Sequence, residues 1–156
     1  MKTTRLGVIT PSSNTVLEPA TSAMLADLDN VSAHFARFPV TEISRDAASN
    51  AQFEIDRQLM AADLLADARV DAIIWSGTAA SWLGFDKDEQ LCAAIAARTG
   101  IPATSSVLAI NRLFQIARVQ RFGLVTPYAR EVQDMIVANY AELGVVCTSE
   151  RHLGET

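Results

Sequence analysis

The chain has 156 residues, enough for a sizeable hydrophobic core, and its 49% hydrophobic against 20% charged residues mark it as globular rather than disordered. A formal charge of -5 gives a surface that repels a phosphate backbone, which argues against nucleic acid as a partner but leaves room for a small anion at a locally positive site. No apolar run is long enough to cross a bilayer, no targeting segment stands out, and Cys92 and Cys147 lack metal-ligand spacing, so a cytoplasmic protein with no disulfide framework, metal or membrane segment is expected.

The predicted elements alternate. Arg5-Leu6-Gly7-Val8-Ile9-Thr10 reads as a buried strand stopped by Pro11. Helical spacing over 15–27 puts Val16, Leu17, Met24, Leu25 and Leu28 on one face. A second strand fits 31–38 and ends at Pro39. Residues 49–68 give a helix with the stripe Phe53, Ile55, Leu59, Met60, Leu64 and Leu65, capped by Ser49 or Asn50. A third strand over 70–75 runs into the small polar loop Ser76-Gly77-Thr78-Ala79-Ala80-Ser81. A helix over 86–98 ends near Gly100, a fourth strand covers 101–105, and a helix covers 107–117. A fifth strand over 121–126 stops at Pro127, a helix over 128–143 ends at Gly144, and a sixth strand starts at 145–148. Residues 149–156 show no pattern. Strands separated by helices imply right-handed crossovers and a parallel sheet, the doubly wound α/β class.

Two segments repeat: Gly7-Val8-Ile9-Thr10-Pro11 recurs 116 residues later as Gly123-Leu124-Val125-Thr126-Pro127. Each is a strand that ends in Thr-Pro and opens into a helix. Two similar βα turns would give such a match by chance; a true repeat would make two similar halves. The expected division is a flavodoxin-like α/β domain over 1–118 and the beginning of a second, incomplete one over 119–156. The counterpart of the third strand and its loop would then lie beyond Thr156, and association into a homo-oligomer would cover the apolar surface left bare.

Ligands of open α/β sheets bind beyond the carboxyl ends of the strands. Pro11-Ser12-Ser13-Asn14-Thr15 is one such loop, with hydroxyls, an amide and the free N–H groups of a helix start. N-capping by Ser13 or Asn14 accounts for one polar residue; a carboxylate site accounts for the run. Ser76-Gly77-Thr78-Ala79 is the second loop, where small residues let a ligand approach consecutive N–H groups; a tight turn with Gly77 at positive φ is the structural alternative. Tyr128, after Thr126-Pro127, is a hydroxyl donor for an oxyanion or a half-buried aromatic at a helix start. His34 and His152 have no partner at ligand spacing. Cys92, beside Leu91 and Ile95, and Cys147 read as core residues, and Asp86, Asp88 and Glu89 as a solvated first helical turn.

Together, Gly7-Val8-Ile9-Thr10-Pro11-Ser12-Ser13-Asn14-Thr15, the loop Gly77-Thr78-Ala79-Ala80-Ser81 and Leu124-Val125-Thr126-Pro127-Tyr128 resemble the aspartate/glutamate/hydantoin racemase superfamily, in its maleate cis-trans isomerase and arylmalonate decarboxylase branches. The resemblance implies two similar α/β domains with a cofactor-independent, metal-free site between them. Racemases and isomerases of the superfamily use two cysteines; the first would fall on Gly77 or Ser76, and neither is a cysteine. The decarboxylase branch has glycine there and works with one cysteine from its second domain, which places that thiol beyond this chain.

The resemblance also implies that Asn14 contacts a substrate carboxylate, that Ser13, Gly77 and Ala79 line the same site, and that Thr78 and Tyr128 shape a carboxylate and oxyanion pocket. Ala79 replaces a hydroxyl residue of the decarboxylases. The function implied is isomerisation or decarboxylation of a small carboxylic acid through an enediolate, with no cofactor. The competing expectation is a non-catalytic carboxylate-binding protein, or an inactive fragment of that fold.

Overall fold

A computed structural model describes residues 3–39 and 55–154. Among the described residues six strands and six helices follow one another: β1 Thr4–Pro11, α1 Leu17–Met24, β2 Val31–Phe38, α2 Ile55–Asp67, β3 Ala72–Trp75, α3 Ala80–Leu83, α4 Phe85–Thr99, β4 Ala103–Ser105, α5 Ser106–Ala117, β5 Arg121–Thr126, α6 Arg130–Glu142 and β6 Val146–His152. The proposed caps Ser49 and Asn50 and the stripe residue Phe53 lie outside the described residues. Four strands form one sheet in the order β2-β1-β3-β4, every pair parallel, as the alternation of elements requires. β5 and β6 pair in parallel in a separate sheet. The chain divides into two compact units, Met1–Gly77 with Gln90–Ser106, and Thr78–Glu89 with Val107–Thr156.

In the first unit β1 is central and buried from Gly7 onward, with Ile9 fully enclosed. Its core joins Ile9, Phe38, Leu65, Ile73, Trp75 and Ile95. Fully burying side chains of this size contributes roughly 1.5–3 kcal/mol each. α2 departs from its expected stripe. The buried face is Gln58, Ala61, Ala62 and Leu65, while Ile55, Met60 and Leu64 face out. The small alanines bring the helix axis close to the sheet, and Gly7 permits the approach. A Cβ on Gly7 would meet Val70 Cγ2 at 2.9 Å and Leu65 Cδ1 at 3.2 Å. α1 also differs: it spans two turns, buries no residue completely, and leaves Val16, Met24 and Leu28 exposed. A helix that short turns only part of its apolar stripe toward the sheet. Leu91, Cys92 and Ile95 are buried on α4 as expected.

The second unit centres on Tyr140, whose ring lies 5.2 Å from Phe85, 5.7 Å from Phe114 and 5.1 Å from Phe122. Burial raises the pKa of its hydroxyl. Three readings of this region need correction. Residues 149–152, expected to be patternless, complete β6. Cys147 is only half-buried, and its thiol donates to the Ser149 carbonyl at 3.2 Å. It pairs with Phe122 just before a bulge, on a strand that has no fully buried residue. Asp88 is buried rather than solvated.

Candidate functional site

The second unit brings two of the predicted site residues together. Thr126 ends β5, and Pro127 fixes φ for the turn that follows. The Tyr128 N–H donates to Thr126 Oγ1 at 3.3 Å, and the Tyr128 carbonyl accepts from Gly154 N at 3.1 Å. The turn therefore carries Tyr128 just ahead of α6. Its ring meets Trp82 edge-on at 5.1 Å between centroids. Its hydroxyl lies 2.6 Å from Thr78 Oγ1.

Thr78 is held from the other side. Its carbonyl accepts from the Ser81 N–H at 3.0 Å and the Ser81 hydroxyl at 2.6 Å, which fixes the entry to α3. Asn139 of α6 donates its side-chain amide to the Ser81 carbonyl at 2.9 Å and ties α3 to the helix behind Tyr128. Ala79, Ala80 and Trp82 are buried, whereas Thr78 is exposed. One hydroxyl of the pair donates to the other, and the second O–H proton stays available to a third group. That arrangement suits a developing oxyanion.

Gly77, at the end of the first unit, is not at positive φ, so the tight-turn explanation fails. Its missing side chain serves a different need: a Cβ there would stand 2.1 Å from Trp75 Cζ2. The indole of Trp75, 1% exposed and 5.3 Å from the Phe38 ring, occupies that space. Ser13 and Asn14 also belong to the first unit. Ser13 is exposed. Asn14 Oδ1 accepts from the N–H groups of Val16 at 3.0 Å and Leu17 at 2.9 Å. The capping role is thus real, and it leaves Nδ2 as the free, donating end of the amide. Arg37 Nη1 donates to the Ser12 carbonyl at 2.8 Å, and its Nε pairs with Glu18 at 2.9 Å. Among the described residues no group of three His, Cys, Asp or Glu side chains is placed to hold a metal.

Sequence reasoning missed a polar cluster behind Tyr128. Gln133, fully buried, accepts from Thr126 Oγ1 at 2.6 Å and donates to Glu150 Oε2 at 3.0 Å and the Arg151 carbonyl at 3.1 Å. His152 Nδ1 lies 3.1 Å from the same Glu150 oxygen. The hydrogen bonds from His152 and then Gln133 hold the Glu150 carboxyl below its usual pKa. The repeat gave no signal for it, since the position of Gln133 is Leu17 in the first copy.

A family model for arylmalonate decarboxylase matches residues 6–155. A maleate isomerase of Pseudomonas putida is 26% identical over 151 residues, covering 90% of this chain and 59% of that protein. A maleate cis-trans isomerase of Nocardia farcinica, solved as a cysteine-to-serine variant with a covalently bound succinylcysteine intermediate, superposes with a TM-score of 0.82 at 26% identity, covering 97% of this chain and 64% of that one. Unliganded arylmalonate decarboxylase shares the fold with a TM-score of 0.72 at 22% identity, covering 99% of this chain and 63% of that one. The chain thus spans about three fifths of the length of these relatives.

Proposed function

The chain belongs to the arylmalonate decarboxylase family, in the branch it shares with the maleate isomerases, and we propose that it is the larger part of a cofactor-independent isomerase or decarboxylase of small carboxylic acids. The observation that carries this is the Thr78–Tyr128 hydroxyl pair at the carboxyl end of β5. Residues 119–156 open a second α/β domain, and the active thiol comes from the remainder of that domain. Asn14 Nδ2 is a donor to a substrate carboxylate, and so are the N–H groups of the Gly77-Thr78-Ala79 loop. In decarboxylation the C–C bond to the departing carboxylate breaks, CO₂ leaves, and its electron pair enters an enediolate. The O–H of the Thr78–Tyr128 pair that is not committed within it donates to that oxyanion, and the thiol S–H then protonates the α-carbon to leave a thiolate that solvent reprotonates.

A second reading, carboxylate binding without catalysis, draws on the absence of a thiol at Ser76 and Gly77. The full-length protein, incubated with maleate and with an arylmalonate and followed by proton NMR, decides between them. Fumarate or an arylacetate as product supports the enzyme. Saturable binding of either acid without turnover supports the binding protein.

A further inference from the structure

We propose that Gln133 is a positioning residue that sets the aim of the Tyr128 hydroxyl through Thr126, an inference that rests on the role given to Tyr128 above. Gln133 is 0% exposed, and a buried amide is costly unless its polar atoms are satisfied. Here three hydrogen bonds reach the ends of both strands of the sheet. Its Oε1 accepts the Thr126 hydroxyl proton at 2.6 Å, at the last residue of β5. Its Nε2 donates at 3.0 Å to Glu150 and at 3.1 Å to the Arg151 carbonyl, both in β6. With its proton committed to Gln133, Thr126 Oγ1 turns a lone pair toward the Tyr128 N–H. The chain Glu150–Gln133–Thr126–Tyr128 thus runs from strand to turn without a gap.

The other half of the repeat provides a control within the molecule. Thr10 occupies the place of Thr126, and Leu17 that of Gln133, at the same 116-residue offset. The Thr10 hydroxyl, fully buried where Thr126 is only half-buried, has no hydrogen-bond partner among the described residues. The turn after β1 is held instead by Arg37, whose guanidinium reaches the Ser12 carbonyl from the residue paired with Thr10 in β2. A buried glutamine is therefore not a requirement of the strand-Thr-Pro-helix unit. It is found in the half whose turn carries a tyrosine and is absent from the half whose turn carries Ser12.

The test uses the two tyrosines of this chain, Tyr128 and Tyr140, as separate reporters. With ζ-¹³C tyrosine incorporated, Gln133→Met removes all three hydrogen bonds at similar volume. Thr126→Val removes only the hydroxyl, and Thr126→Ser retains it. The Tyr128 signal is expected to move or broaden in Gln133→Met and in Thr126→Val and to return in Thr126→Ser. The Tyr140 signal, on the same helix as Gln133, stays in place throughout. In the full-length enzyme the first two variants lower kcat about ten- to a hundredfold with KM within about twofold, as expected for a misplaced group near the reacting atoms. A Tyr128 signal unchanged by Thr126→Val, or shifted as much by Thr126→Ser, overturns the proposal. That pair decides alone if Gln133→Met does not fold. Movement of Tyr128 with no change in turnover leaves the positioning intact and removes Tyr128 from the chemistry.

Discussion

The hydroxyl oxygens of Thr78 and Tyr128 stand 2.6 Å apart across 50 residues of sequence. Two groups that share one hydrogen bond act as a unit, so their losses do not add. In the full-length enzyme, Tyr128→Phe is expected to lower kcat about a hundred- to a thousandfold, roughly 3–4 kcal/mol, with little change in KM. Thr78→Val weakens the same donor, and the double variant is expected to be scarcely slower than Tyr128→Phe. Steady-state kinetics of the three variants checks this. Turnover by Tyr128→Phe within a few-fold of the parent returns the residue to a structural role.

Gly77 and Trp75 compete for the same volume. Gly77→Ala sets a methyl group 2.1 Å from Trp75 Cζ2, and the indole is walled in by Phe38. Overpacking of this kind costs roughly 1–3 kcal/mol. Gly100→Ala meets no atom within 4 Å but sits at φ +70°, so it loses only the backbone penalty of about 1 kcal/mol. Urea midpoints of the two variants are expected to rank Gly77→Ala as the less stable. The reverse order would show that the indole can move aside.

The fold was legible because period and punctuation agree: strands 31–38 and 121–126 coincide with β2 and β5, and Gly100 and Gly144 close their helices at φ +70° and +76°. The buried face of α2 was not. Hydrophobicity favours Met60 and Leu64, but close helix–sheet packing selected Ala61 and Ala62. Thr78 and Tyr128 were legible from motif and from their place after strands. Gln133 was not, because an amide in a polar helix start looks solvated until β6 is known to end beside it. That Gly77 answers a ring rather than a turn is likewise a tertiary fact, invisible along the chain.

Glu150 makes acid stability depend on the same cluster. Hydrogen bonds from His152 and then Gln133 favour its charged form, so its pKa is lower folded than unfolded. The stabilisation is complete above the ordinary carboxylate range and is lost as pH falls through the depressed folded value. Glu150→Gln removes this titration. Urea midpoints measured from neutral pH downward are expected to fall more steeply for the parent than for Glu150→Gln below the ordinary carboxylate range. Parallel profiles would exclude Glu150 from the acid response.

Asn14 offers a way to separate capping from ligand binding. Its Oδ1 is committed to the N–H groups of Val16 and Leu17, so only Nδ2 is left to donate to a carboxylate. Asn14→Asp keeps an acceptor for both N–H groups and places a second anionic oxygen where the donor stood. Asn14→Ala removes cap and donor together, at about 1 kcal/mol of stability. The two variants are therefore expected to part in opposite directions. Asn14→Asp melts like the parent but binds a small dicarboxylate more weakly than Asn14→Ala does, because it adds repulsion to a lost hydrogen bond of roughly 1.5–3 kcal/mol. Thermal unfolding gives the first comparison and calorimetric titration of the full-length protein with maleate the second. Equal affinity of Asn14→Asp and the parent would confine Asn14 to the cap and remove it from the binding site.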